Sequence, residues 1–246
     1  MTVRKSPHIT RVALVAGLAA SLALAACGGS SGSGSPKPPA GTTPAAPTTL
    51  HIAFGADMQV PDPDIFYEIE GNAVTTSVYE GLIRYKPDMN TFEGALASKW
   101  TVSADGKTYT FTLRPNVKFH DGTVMDSTAV EKSFQRRTAV NSSPAYMLAD
   151  VASYATPNPL TFVVKLKNPV SPFLDYLAAP YGPKVDSPTV IAAHAGKDEA
   201  QSWLKSHDAG TGPYTITSFV PGQKYVLSAF DGYWGPRPYV REIDIS

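Results

Sequence analysis

Asp105-Gly106-Lys107-Thr108-Tyr109-Thr110-Phe111-Thr112-Leu113-Arg114-Pro115-Asn116-Val117-Lys118-Phe119-His120-Asp121-Gly122 opens on a strict alternation, with Tyr109, Phe111 and Leu113 set against Thr108, Thr110 and Thr112. Aromatic and β-branched residues at a period of two make a strand with one buried face. Ala104-Asp105-Gly106-Lys107 just before it supplies a tight turn back to Trp100-Thr101-Val102, so the segment predicts a β-hairpin. With 22 prolines and 19 glycines punctuating the chain, short strands joined by turns are expected throughout, interspersed with a few helices. The fold class is therefore α+β.

Working toward the N-terminus, Val74, Val78 and Leu82 recur at four-residue steps and predict a helix over 73–83 that closes near Gly81. Pro61-Asp62-Pro63-Asp64 forces a loop, and Leu50 to Phe54 reads as a first strand closed by Gly55. In the other direction, Asp126 is a good N-cap for a helix to about Arg137 with Val130 and Phe134 facing inward. A second hairpin follows, 151–155 with 160–166, turned by Thr156-Pro157-Asn158-Pro159 and burying Leu160, Phe162, Val164 and Leu166. Helical patterns over 172–178 and 187–206 come next. The chain then returns to strands at 214–219 and 224–230, whose connection Val220-Pro221-Gly222-Gln223 suits a type II turn, and at 240–245.

The extreme N-terminus has a different character. Arg4, Lys5 and Arg11 precede an apolar run from Val12 to Leu24, which is short for a membrane-spanning helix and reads as a secretory signal. The run ends in Leu24-Ala25-Ala26-Cys27, and Cys27 is the only cysteine of the 246 residues. An internal disulfide is thereby excluded, and the order resembles a bacterial lipobox, in which the thiol takes diacylglycerol and residues 1–26 are removed. Residues 28–49 are Gly, Ser, Pro, Ala and Thr with one charge at Lys37, a composition that cannot bury a core and is expected to act as a flexible tether over 27–49. Folding is expected from residue 50 to residue 246.

Lys+Arg and Asp+Glu both number 21, giving a formal charge of zero, so no basic footprint for nucleic acid is present. His8, His51, His120, His194 and His207 are scattered without metal-ligand spacing, no Gly-rich phosphate loop occurs, and neither a metal nor a cofactor is expected. Gly28-Gly29-Ser30-Ser31-Gly32 matches the nucleophile elbow of serine hydrolases only formally, since it lacks a strand before it and a helix after it. His120-Asp121 reads as a turn before Gly122 rather than a catalytic pair, and Glu80 as a surface or capping residue. No enzymatic constellation is expected. Tyr79, Tyr181, Tyr214, Tyr233 and Trp234 fall near predicted loop ends, where amphipathic rings can serve either a ligand or the core.

Six ordered blocks carry a family resemblance: Tyr79-Glu80-Gly81-Leu82-Ile83, Leu96-Ala97-Ser98-Lys99-Trp100, Asp105 to Phe111, Leu113 to Gly122, Gly210-Thr211-Gly212-Pro213-Tyr214, and Tyr233-Trp234-Gly235. Together, behind a lipobox and tether, they make the chain similar to the family 5 extracellular solute-binding proteins, which deliver peptides, nickel or other solutes to ABC importers. The resemblance implies a type II periplasmic-binding-protein fold, α/β lobes closing on a ligand, with an α+β subdomain inserted over about residues 85–180. It further implies that the chain supplies the first lobe, with the second lobe absent, so that the chain alone is expected to bind weakly. Ligand contacts implied for this part are Met58, Gln59, Tyr79, Tyr181, Gly182, Thr211 and Gly212. Expected partners are a peptide or other small solute, ABC permease subunits, and the outer face of the cell membrane through lipid on Cys27. The alternative expectation is a truncated lipoprotein with a structural or accessory role.

Overall fold

The computed structural model describes residues 48–58 and 60–246; Cys27, the signal and tether segments, and Gln59 lie outside the described residues. The hairpin of the opening segment forms as its alternation requires: β4 (Ala97–Val102) pairs antiparallel with β5 (Thr108–Leu113). Along β5 the apolar set Tyr109, Phe111 and Leu113 is buried, while the threonines are half-buried. Gly106 has φ +69°, the left-handed conformation the turn needs. The second hairpin, β6 (Val151–Asn158) and β7 (Thr161–Leu166), joins the first through β5–β7 to give an antiparallel sheet ordered β4-β5-β7-β6.

Helix α2 (Ser127–Val140) packs its Val130 and Phe134 on this sheet, Phe134 meeting Phe162 edge-on at 5.4 Å. Its start is set by the Asp126 carboxylate, which accepts from Ala129 N at 2.8 Å, as predicted for an N-cap. A 3-10 turn (Ser143–Leu148) and α3 (Phe173–Ala178) complete one core, to which the short hairpin β2 (Ile83–Tyr85) and β3 (Phe92–Gly94) contributes Ile83.

A second core is built on a separate sheet. β1 (Thr49–Ile52) runs parallel to β10 (Glu242–Ile245), which pairs antiparallel with β9 (Lys224–Ala229), and β9 with β8 (Tyr214–Val220), in the order β1-β10-β9-β8. The parallel pair joins residues almost two hundred positions apart, such as Thr49 with Glu242. The long segment between β1 and β8 therefore contributes no strand to this sheet. Helix α1 (Asn72–Val78) covers the sheet with Val74 and Val78, alongside Met58, Phe66, Tyr79, Phe219, Tyr225 and Leu227.

Four expectations are corrected. The helix expected over 73–83 stops at Val78: Tyr79 is extended (φ −121°, ψ 142°), and the backbone at Gly210 and Gly212 lies so close to the carbonyls of Val78 and Ser77 that no further turn fits. The segment 187–206 divides into α4 (Pro188–His194) and α5 (Gln201–Leu204), because Gly196, Glu199 and Ala200 all take positive φ. Leu160 is exposed rather than buried, since Asn158 Oδ1 accepts from its N–H at 3.0 Å and holds it in the turn. Pro157 lies within β6 instead of ending it, at an irregularity in the ladder between Ala155 and Asn158. Among the described residues no helix is long and apolar enough to cross a membrane.

Candidate functional site

The loop after β1 carries two buried carboxylates, Asp62 and Asp64, that the sequence marked only as part of a turn. Both face consecutive arginines of α2. Arg136 donates Nη1 and Nη2 to the two oxygens of Asp62 at 2.9 and 2.7 Å, and Nη1 also to Asp64 at 2.7 Å. Arg137, fully buried, donates Nε to Asp64 Oδ1 at 2.8 Å and spreads its remaining N–H groups over the carbonyls of Tyr181, Gly182 and Pro63 at 2.8 to 3.1 Å. Planar guanidinium forks suit this many-point task, and it ties the loop, α2 and the 181–182 segment into one rigid unit.

Asp186 lies 3.6 Å from Arg136 and makes three carboxylates against two guanidiniums. Burial, and then the charge of Asp64, push its carboxyl up to about 7. A carboxyl with a raised folded-state value binds its proton in the native protein over a range where the unfolded chain has already released it. Stability therefore falls as pH rises from about 4 to about 7. Asp186→Asn, neutral at every pH, is expected to flatten that fall, and urea unfolding midpoints from pH 4 to 8 would check it. An unchanged slope in the variant would assign the dependence to other groups.

Above this network the structure exposes a row of rings. Tyr67 is 46% exposed, Tyr146 49% and the adjacent Ile69 80%. Tyr67 packs against Tyr181 at 4.9 Å and edge-on against Tyr146 at 6.4 Å, and Tyr146 meets Tyr176 at 5.7 Å. The hydroxyls of Tyr67 and Tyr146 lie 3.3 Å apart, and that hydrogen bond pushes the Tyr146 phenol up to about 12. The row bridges the loop after β1, the 3-10 turn and α3. Rings that are half exposed yet fixed by their neighbours can stack on a ligand at small entropic cost while their hydroxyls hydrogen-bond.

Glu80 is buried, not on the surface as its sequence context suggested. Its Oε2 accepts from Trp234 Nε1 at 2.8 Å and Thr211 Oγ1 at 3.0 Å, and its Oε1 from Tyr233 OH at 3.0 Å. Burial raises the carboxyl above the usual range, against the pull of these three donors. His120 also differs from expectation. Its Nδ1 bonds Asp208 and its Nε2 lies 2.9 Å from the carbonyl of Gly212, so the ring joins the 208–212 segment rather than merely marking a turn. Asp121 does serve the turn, accepting from Thr123 N at 2.9 Å.

The residues expected to touch a ligand are distributed unevenly. Tyr181 belongs to the exposed row and Gly182 to the segment Arg137 clamps. Met58 and Tyr79 lie in the core beside the β1 sheet, with the Tyr79 hydroxyl accepting from Ala209 N. Thr211 and Gly212 are packed against the end of α1, Gly212 N donating to the Val78 carbonyl at 2.9 Å. Tyr67, Ile69 and Tyr146 were not singled out by sequence. An exposed isoleucine between Glu68 and Glu70 was the available signal, but sequence alone does not show exposure.

The sequence family described as bacterial extracellular solute-binding proteins, family 5 (middle region), matches residues 91–246. Among curated relatives, the probable D,D-dipeptide-binding periplasmic protein DdpA of Escherichia coli K12 is 34% identical over 200 residues, covering 80% of this chain and 38% of the relative. The glutathione-binding protein GsiB of Salmonella paratyphi A is 34% identical over 185 residues, covering 74% of this chain and 35% of the relative. The chain thus spans little more than a third of these relatives' length. Among solved structures, the ABC transporter-associated periplasmic binding protein DppA of Helicobacter pylori, in complex with the peptide STSA, superposes with a TM-score of 0.72 at 25% identity, over 80% of this chain and 42% of that one. NikA of Brucella suis in complex with Fe(III)-EDTA gives 0.69 at 28%, over 80% and 39%. The architecture is that of the type II periplasmic binding proteins.

Proposed function

The chain belongs to the bacterial extracellular solute-binding proteins of family 5, and from that premise we propose that it is the solute-capturing component of an ABC importer, acting on short peptides outside the cell. The family match over residues 91–246 carries the proposal. Relatives named for D,D-dipeptides and for glutathione, both short peptides, support the solute class. The exposed ring row supplies a surface suited to varied side chains, as a carrier of many sequences needs. In this reading residues 1–26 are a signal, Cys27 carries lipid, 27–49 tether the folded part, and 50–246 form the first lobe with a subdomain inserted over about 85–180. Permease subunits are the membrane partners.

One face contacts a ligand from one side only and leaves it in water, so its own affinity is weak. Titrating this chain with a mixture of di- to hexapeptides is expected to shift the ring resonances of Tyr67, Tyr146 and Tyr181 in proton NMR without a calorimetric signal of micromolar binding. The double variant Tyr67→Ala/Tyr146→Ala should lose the shifts while keeping its fold. Peptide-induced shifts confined to other parts of the protein, or none at all, would reject the assignment of this face.

A further inference from the structure

A second opening shares no lining residue with the ring row. It is a cleft of about 320 Å³ between the end of α1, the β2–β3 hairpin and the end of α3, with Tyr233 and Pro213 on its far side. Its walls are amphipathic, with Ile83, Met89, Ala95 and Pro180 beside polar groups. Its polar side chains each have a partner within the protein, Arg84 through Nε alone. The Tyr85 hydroxyl donates to Asp175 at 2.6 Å, Arg84 Nε to Glu93 at 2.7 Å, the Tyr233 hydroxyl to Glu80, and the Thr76 hydroxyl to the Asn72 carbonyl.

Lys184 is the more weakly paired of the two cations on the wall. Its ammonium has three donors, and the structure gives it one long hydrogen bond, 3.4 Å to the Ala179 carbonyl. Burial, and next the charge of Arg137, lower it to about 8, with Glu80 the only carboxylate among the groups that act on it, opposing that shift. A desolvated cation with spare donors at the wall of an open cleft is an incomplete ion pair. Arg84, also on the wall, forms an ion pair with Glu93 at 2.7 Å.

We propose that this cleft binds the carboxylate of a small organic acid with a short apolar body, the carboxylate completing Lys184 and the body resting on Ile83, Ala95 and Pro180. A carboxylate is favoured over a phosphate because a single ammonium with spare donors suits one negative charge. The body is small because a cleft of about 320 Å³ lies at the lower end of the volumes that enclose small-molecule ligands. The inference does not depend on what the ring row takes.

N-acetylalanine is a suitable probe, with N-acetylalaninamide as its uncharged counterpart and sulfate as a carbon-free anion. Lysines carrying 13C-methyl groups keep their charge and report their titration by NMR. In the full chain the Lys184 signal should titrate at higher pH when N-acetylalanine is present, by about one unit, which corresponds to roughly tenfold tighter binding to the charged lysine. The amide and sulfate should leave it in place. Lys184→Met, similar in length and uncharged, should weaken N-acetylalanine binding at least about tenfold by NMR titration, and Tyr67→Ala/Tyr146→Ala should not. An unmoved Lys184 titration with N-acetylalanine overturns the proposal, as does an equal response to sulfate or to the amide. Loss of the Lys184 response in the double tyrosine variant would also overturn it, by showing that the cleft is not independent of the ring row.

Discussion

Replacing Arg137 with methionine is expected to lower the unfolding free energy by about 3–5 kcal/mol, the usual consequence of removing one partner from a buried ion pair. Methionine roughly preserves the volume but leaves Asp64 with Arg136 alone and strands the carbonyls of Pro63, Tyr181 and Gly182 without their donor. Arg137→Lys keeps the charge. An ammonium cannot reproduce four contacts in the plane of one fork, so an intermediate loss is expected. Urea unfolding with an unchanged m-value is the measurement, and a loss below about 1 kcal/mol for methionine would show that the network does not hold this region. A local effect accompanies the global one. Because Arg137 holds the backbone at Tyr181, its loss should also disperse the ring resonances of Tyr181 and Tyr67 before global unfolding.

Glu80→Ala is expected to cost about 3 kcal/mol, and Glu80→Gln about 1 kcal/mol or less. Alanine leaves the Trp234 indole N–H, the Tyr233 hydroxyl and the Thr211 hydroxyl unpaired in a buried site. The indole can only donate and has no way to adapt. Glutamine with its carbonyl at the Oε2 position keeps the bonds from Trp234 and Thr211, and the Tyr233 hydroxyl can turn from donor to acceptor for the amide. It also spares the cost of burying a charge. The pH profile separates the two effects: the folded-state carboxyl is raised, so the native protein holds its proton longer than the unfolded chain, and wild-type stability falls as pH rises through that range. Glu80→Gln should lack this component. If alanine and glutamine cost the same, the three-donor arrangement contributes nothing specific.

Both groups show where sequence reading stops. Glu80 sits between Tyr79 and Gly81 in a pattern that continues a helical repeat from Val74 to Leu82, and that repeat placed it on a helix surface. The helix ends two residues earlier because Gly210 and Gly212, some 130 positions away, press their backbone against its last carbonyls. Asp62 lies between Pro61 and Pro63 and Asp64 follows Pro63, and the turn chemistry that prolines and aspartates share is a sufficient local explanation for all four. Nothing in their spacing indicates that Arg136 and Arg137 face them. The arginines themselves occupy the last turns of a helix whose inner face was read correctly from Val130 and Phe134, yet both are buried.

Local interactions explain what was legible. The β4–β5 and β8–β9 hairpins, the Asp126 cap and the type II turn with Gly222 at φ +69° are all decided within a few residues, by side-chain alternation, a carboxylate three positions from its donor, or a glycine where φ must be positive. The ordered blocks were enough to place the chain in its family. Tertiary structure alone decided the parallel pairing of β1 with β10, the burial of Glu80 and the two arginines, the exposure of Tyr67, Ile69 and Tyr146, and the spare donors of Lys184. Burial and exposure depend on which distant segments cover a residue, and a charged or aromatic side chain is compatible with either until its partners across the fold are in place.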